Sequence, residues 1–299
     1  MIFSDNNHWQ FGWGRRKNRY NFDEQGQPLW VTFGPCASQP KSFDIEMAVA
    51  AKKIANAATK PIYVAMSGGI DSELVARTMV QEKIPFTPLI LKYDNDVNKM
   101  DIAYAFEFCK QHNLTPEVPT LDIVSFFQGS VETPYILANC AHIMHMHLMR
   151  YAASKGGMAV IAVGEQRYER IDGKIVIPVP IERIAVTHFM QAEQVEGVSA
   201  FYCYTPELML SILLEAKAHG FENMDKFAHN IKDTLYHKFW PDLTHRPKYS
   251  GFENVEQERL KAQRMLRKKY GSKVAKYTIP IFEFEHQLNG GANAFSIKY

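Results

Sequence analysis

Six consecutive residues carry the clearest chemistry in this chain. Ser67-Gly68-Gly69-Ile70-Asp71-Ser72 lies between the apolar run Pro61-Ile62-Tyr63-Val64-Ala65-Met66 and a helical pattern over Glu73 to Glu82. Adjacent glycines let a backbone turn sharply and let an anion approach its N–H groups. A helix amino terminus behind such a turn adds a positive dipole end and N–H donors. Ser67 and Ser72 contribute hydroxyls, so the loop can cradle a polyphosphate. Asp71 is the odd member, because a carboxylate beside phosphates repels them unless a divalent cation lies between. The loop is not a Walker A turn, since no Gly-x-x-x-x-Gly-Lys pattern occurs and no lysine sits in it. The plain alternative is a glycine-rich strand-to-helix turn of the kind that α/β folds use throughout.

Other clusters are more equivocal. The segment 135–154 reads as a helix carrying Cys140, His142, His145 and His147, with His142 and His145 on one face and Cys140 and His147 on another. A zinc site needs three or four converging ligands, so core or pocket-lining histidines are expected. Trp240 to Glu253 forms an irregular stretch rich in Pro, Gly and aromatics, with the cations Arg246 and Lys248 inside it. Loops of that type often hold functional side chains; a structural loop with snorkelling cations is the alternative. Arg259 to Lys276 holds eight Lys and Arg and no acid, which fits a solvated helix face or a track for phosphates or RNA. The run Arg15, Arg16, Lys17, Arg19 reads as a solvated turn or a phosphate contact.

The elements that position these residues follow from periodicity. Trp9, Phe11 and Trp13 alternate with polar residues or glycine, and Leu29 to Phe33 follows a Gly- and Pro-bearing turn, so a β-hairpin is expected at the amino end. From Ser42 the period becomes helical, with Phe43, Met47, Ala50, Ala51 and Ile54 in one stripe. Strands are expected at 61–66, 86–93, 118–123 and 158–163. Helices are expected at 73–82, at 100–112 with Ile102, Ala105, Phe106 and Cys109 on one face, and at 135–154. Strand-helix alternation of this kind specifies βαβ crossovers and a doubly wound parallel sheet, an α/β fold. After Gly164 come an Asp172-Gly173 hairpin, a helix opened by Thr205-Pro206-Glu207, and further helix at 222–237 and 255–270. The expected organisation is a hairpin extension over 1–40, an α/β core over 41–170, and a hairpin plus a mostly helical region over 171–299 that completes the site.

Composition excludes several classes. The chain has 299 residues, 46% hydrophobic and 22% charged, with 34 Lys and Arg against 32 Asp and Glu. Such a chain is globular, and a formal charge of +2 gives no global bias toward nucleic acid or membranes. No apolar run approaches the roughly 20 residues of a spanning helix, and the amino end lacks a signal-peptide pattern. The four cysteines are scattered singly, so a reduced, cytoplasmic protein with no membrane partner is expected.

The motif Ser-Gly-Gly-x-Asp-Ser after an apolar strand resembles the PP-loop of the ATP pyrophosphatases, the adenine nucleotide α-hydrolase-like superfamily. The resemblance covers roughly residues 55–170 and is most like the synthetase domain of asparagine synthetase. It implies a PP-loop sheet (HUP-like), ATP and Mg²⁺ as cofactors, and cleavage of ATP between the α and β phosphates. It further implies that Ser67, Gly68, Gly69 and Ser72 hold the pyrophosphate and that Asp71 helps bind Mg²⁺. Leu91-Lys92-Tyr93 falls where the family reads adenine through backbone groups. Asp94, Asn95, Asp96 and Asn98 read instead as an exposed polar turn capping the next helix. Gly164-Glu165 lies at the carboxyl edge of the fourth strand, with Glu165 as a Mg²⁺ or substrate contact, or else as a loop cap. Arg246 or Lys248 would supply a catalytic cation over the leaving pyrophosphate.

Departures from the family narrow the subtype. No amino-terminal glutaminase nucleophile is expected, and the cysteine pairs of thiolating members are missing, as is the clustered cysteine zinc site of deazaguanine synthases. The favoured activity is an AMP-forming, C–N bond-forming ligase: a carboxylate or amide oxygen is adenylated, then attacked by an amine or ammonia. Its partners would be small-molecule substrates, with a homo-oligomer compatible. One alternative is a PP-loop enzyme acting on a nucleic acid or nucleobase, such as RNA. A second is a nucleotide-binding protein without catalysis.

Overall fold

A computed structural model describes residues 8–13, 29–129, 140–164, 166–179, 182–220, 228–243, 246–247, 255–270 and 277–291. The aromatic alternation at the amino end forms β1 (Trp9–Trp13), antiparallel to β2 (Leu29–Phe33) with Trp9 opposite Phe33. In α1 (Phe43–Ala57) every residue of the expected stripe is buried. Ser42 occupies its N-cap, but the side chain makes no capping bond; the Ser42 carbonyl instead accepts the Glu46 N–H.

The core then alternates as the periodicity requires: β3 (Ile62–Ala65), α2 (Ile70–Gln81), β4 (Thr87–Leu89), β5 (Lys92–Tyr93), α3 (Lys99–Gln111), β6 (Thr120–Leu121), α4 (Ile123–Gly129), α5 (Cys140–Ser154) and β7 (Met158–Ile161). The hairpin β8 (Glu169–Ile171) and β9 (Lys174–Val179) turns through Asp172 and Gly173, both at positive φ, as an Asp-Gly turn demands. There follow α6 (Glu182–Ala192), β10 (Gly197–Val198), α7 (Pro206–Ala218), α8 (Ala228–Phe239), α9 (Glu256–Tyr270), β11 (Tyr277–Pro280) and α10 (Ile281–Leu288). Thr205 caps α7 as its sequence indicates, its hydroxyl oxygen accepting the Leu208 N–H.

Four strands run parallel in the order β10-β7-β3-β4. Past β4 the chain changes partner: Leu89 bridges Glu117 in parallel and β5 pairs with β6. The chain therefore starts at β3, winds outward to one side, then crosses to β7 and β10 on the other. This is a doubly wound α/β sheet, with its switch point between the carboxyl ends of β3 and β7. Both faces are covered. Ile62, Val64, Met158 and Val160 point into a core shared with α1, α2 and α7, whereas Ala65, Ala159 and Ile161 point into a second core shared with α5, α6 and α9. The first core also takes Trp9 and Phe33 from the hairpin and Phe284 and Leu288 from α10.

Several elements differ from the sequence expectation. The strand expected over 86–93 breaks at Ile90-Leu91, because β4 pairs with β3 and β5 with β6. Helix α2 begins at Ile70, inside the glycine loop, and the strand expected over 118–123 is two residues followed by α4. On α3 the buried arc is centred on Ala105, Phe108 and Cys109, which leaves Phe106 38% exposed. β11 adds a third strand to the hairpin sheet beside β9, joining two distant segments that no local pattern connects.

Candidate functional site

The glycine loop follows β3 at the switch point, and its shape is set by two constraints. Gly68 has φ +81°, and a Cβ there would lie 1.8 Å from the Asp101 carbonyl oxygen in the first turn of α3. Only glycine fits both the backbone and the space. Gly69, at φ −77°, is the N-cap of α2 and meets nothing closer than Ser67 Oγ at 3.4 Å. The Ser72 hydroxyl donates to the Gly69 carbonyl (2.9 Å) and accepts the Ser67 N–H (3.3 Å), while Ser67 Oγ accepts the Gly69 N–H (3.4 Å). Ser72 thus braces the loop from within. The first turn of an α-helix carries N–H groups with no carbonyl of its own helix to meet, and here that end opens on a cavity lined by Ser67, Gly69, Asp71 and Ser72.

The cavity holds about 680 Å³, within the range of nucleotide-sized ligand sites. Its floor is apolar: Ala65, Leu89, Leu91, Ile161 and Val163 from the strand ends, with Phe127 and Leu148 from α4 and α5. Polar groups share the lining. Asp71 presents a carboxylate, held by the Tyr236 hydroxyl, which donates to Oδ1 (2.7 Å). Asp101 adds a second carboxylate, and Arg167 and Arg259 add cations. His145 also lines the cavity, and burial pushes its imidazole down to about 4, so it is neutral at ordinary pH.

Of the three expected adenine-edge residues, two reach the cavity. Leu91 and Tyr93 line the cavity, but Asn98 clamps them: its side-chain oxygen accepts the Tyr93 N–H (2.8 Å) and its amide donates to the Leu91 carbonyl (2.8 Å). Lys92 N–H donates to the Pro119 carbonyl, and the Lys92 ammonium pairs with Asp96. The Lys92 and Tyr93 N–H groups are therefore both bonded within the protein. Asn98, expected as an exposed cap, is buried. Asp94 does hold a helix start, accepting the Ile123 N–H of α4.

Gly164 has φ +98°, and a Cβ there would lie 2.8 Å from Cys203 Sγ and 2.9 Å from Ala200 Cβ. Its role is to let the chain after β7 press onto residues 200–203, where the Cys203 thiol donates to the Gly164 carbonyl. Glu165 and Lys248 lie outside the described residues. Arg246 is described, and it does not line the cavity. It pairs with Glu73 Oε2 at 2.5 Å and stacks 4.6 Å from the Tyr104 ring centre, beside an Arg77 that bonds Glu73 and Asp242.

Periodicity alone passes over Asp101, Arg167, Glu256, Arg259 and Gln263. One signal was present: Val255, Ala262 and Leu266 form the packed stripe of α9, and Arg259 and Gln263 fall on that same stripe. Polar residues on a buried stripe mark the place where the helix meets the cavity. The first turn of α9 also carries a bidentate Arg259–Glu256 pair.

Among the described residues, no group of three or more His, Cys, Asp or Glu could hold a metal ion, and no helix is long and apolar enough to cross a membrane. Cys36, Cys109 and Cys203 are buried thiols outside any disulfide; burial raises Cys36 to about 12 and Cys109 to about 11. A magnesium ion needs no dedicated protein cage. It is commonly held by one or two carboxylates together with substrate phosphates, and Asp71 and Asp101 fit that donor set.

No protein-family model and no curated protein matches the sequence. Among solved structures, the chain is similar to an NMN synthetase from Francisella tularensis, at 14% identity and a TM-score of 0.35 over 75% of this chain and 94% of that one. It is similar to an NH3-dependent NAD synthetase from Campylobacter jejuni, at 15% and 0.34 over 75% and 94%. A third is the U34-tRNA thiolase NcsA from Methanococcus maripaludis, at 13% and 0.35 over 76% and 78%. With likeness at that level, the reading of function rests on the site itself.

Proposed function

We propose that this chain is an adenylating enzyme of the ATP pyrophosphatase type. The observation that carries the reading is the Ser67–Ser72 loop, placed at the switch point with a helix start and the Asp71 carboxylate on one cavity. In this reading the loop and the first turn of α2 hold the β and γ phosphates of ATP. An acceptor carboxylate or amide oxygen attacks the α phosphorus, the α–β bond breaks, and pyrophosphate leaves. An amine or ammonia then attacks the activated carbon of that AMP ester, the C–N bond forms and AMP leaves. Magnesium, held through Asp71 with Asp101, would neutralise charge as it gathers on the leaving pyrophosphate.

The protein's contribution is positioning and fixed charge. Asp71 and Asp101 would orient the triphosphate through a shared divalent cation, the apolar floor excludes water, and neutral His145 offers a hydrogen bond without adding charge. Glu165, next to Gly164, is proposed as a further cation or substrate contact, and Lys248 as the cation over the pyrophosphate. Product analysis tests the reading: AMP and pyrophosphate are expected, and ADP with phosphate would refute it.

A second reading, an enzyme acting on RNA, is favoured by one observation. The inner face of α9 lines the cavity while Lys261, Arg264 and Lys268 on the same helix are exposed. Salt-dependent RNA binding that weakens when these three are changed would select it. Pyrophosphate release driven by small carboxylates or amino acids would select the first.

A further inference from the structure

The Asp71 carboxylate is held by a part of the chain far from its loop. Tyr236, near the end of α8, is 3% exposed and donates its hydroxyl to Asp71 Oδ1 at 2.7 Å. Its ring cannot swing. Phe43 of α1 lies nearly parallel on one side (centroids 6.1 Å apart, 7° between planes), and Tyr202 is stacked against it too (6.4 Å, 18°). The Tyr202 hydroxyl donates to the main-chain carbonyl of the same Asp71 at 2.9 Å. Two phenols that also contact each other therefore fix this residue, one at the side chain and one at the backbone.

A helix-start aspartate gains its stabilisation from the helix dipole and has no need of a buried phenol 165 positions away. A metal-binding aspartate does need one. Magnesium demands near-ideal octahedral geometry at short range, so a carboxylate free to rotate about its side-chain bonds is a poor ligand. Outer partners that orient a ligand commonly affect metal affinity by ten- to a hundredfold.

We infer that Tyr236 is the positioning residue of the site, orienting the Asp71 carboxylate toward a divalent cation carried by the bound nucleotide. This rests on the adenylating reading above. It makes α8, outside the doubly wound sheet, a working part of the loop.

The test uses the full-length protein and α,β-methylene-ATP, which cannot be cleaved at the proposed bond, titrated by calorimetry in Mg²⁺ and again in EDTA. Wild type should bind more tightly in Mg²⁺. Tyr236→Phe keeps the ring and its stack and removes one hydrogen bond to a charged group. It should reduce the Mg²⁺ advantage about tenfold or more, with affinity in EDTA within twofold of wild type. Tyr202→Phe, which removes the bond to the Asp71 backbone and a side-chain contact to the Tyr236 hydroxyl, should weaken binding in both conditions. In an Asp71→Ala background, Tyr236→Phe should have no further effect, and that comparison decides the matter even where the single variant folds poorly. An unchanged Mg²⁺ advantage in Tyr236→Phe, or a further loss in the Asp71→Ala background, overturns the assignment of Tyr236 alone. A wild type with no Mg²⁺ advantage overturns the ATP reading, and the assignment falls with it.

Discussion

Replacing Gly68 by alanine isolates what the loop requires of its backbone. Two costs combine. A non-glycine residue at φ +81° sits in the left-handed region, a penalty of about 1–2 kcal/mol. The added Cβ would also lie 1.8 Å from the Asp101 carbonyl oxygen and 2.7 Å from its carbonyl carbon. Ordinary contact is reached only above roughly 3.4 Å, so the loop and the first turn of α3 must separate by well over an ångström. The obstacle is backbone rather than a flexible side chain, and overpacking of that kind typically costs about 1–3 kcal/mol. The expected loss is therefore about 2–5 kcal/mol, a large share of a domain's total stability of about 5–15 kcal/mol. Gly69→Ala is the internal control. Its φ is −77° and its nearest contact is 3.4 Å, so only the modest N-cap preference is lost, at most about 1 kcal/mol. Urea unfolding of both variants, followed by calorimetric titration with α,β-methylene-ATP, measures the difference. A Gly68→Ala protein within about 1 kcal/mol of wild type would refute the reasoning, since it would mean that α3 yields easily.

Asp71→Asn should lower pyrophosphate release by about 10²–10³ with a smaller effect on nucleotide binding, because charge acts most on the developing pyrophosphate; near-normal turnover would leave Asp71 a helix-start residue. His145 is neutral in the folded state down to about pH 4, whereas in the unfolded chain it titrates near 6.5. The unfolded state thus binds more protons between those values, and stability should fall by about 3 kcal/mol as pH drops through that window. Urea midpoints at pH 7 and pH 4.5 should show a shallower slope for His145→Gln, and equal slopes would count against the burial argument. Arg246→Ala should cost about 1–3 kcal/mol of stability, since it removes a partner from buried Glu73 while Arg77 remains. Nucleotide affinity should stay within twofold. A hundredfold loss of turnover at unchanged stability would return Arg246 to the catalytic set.

How far local sequence reaches is visible at individual residues. The stripe of α1, the Thr205-Pro206 helix start, the Asp172-Gly173 hairpin and the buried strands β3 and β7 all follow from patterns within a dozen residues, and the structure contains each of them. The glycine loop belongs with these, because turn chemistry and a helix start are local properties. Gly68 needs glycine for its φ, which is local, but also for the approach of Asp101, which no spacing discloses. The same limit separates Arg246 from Arg259. Both are cations near aromatics or on a basic run, yet one is drawn onto buried Glu73 and the other onto the cavity wall. Asn98 reads as one more polar turn residue until the fold sets its amide between Leu91 and Tyr93. Tyr236 is the extreme case. Nothing in the helical period of α8 distinguishes it from a core tyrosine, and its bond to Asp71 exists only because α1, α8 and residues 201–203 stack three rings beside the loop. Periodicity and turn chemistry act within a few residues of the chain. The partner of a buried polar group is chosen by whichever elements pack against it, and that choice belongs to the tertiary structure.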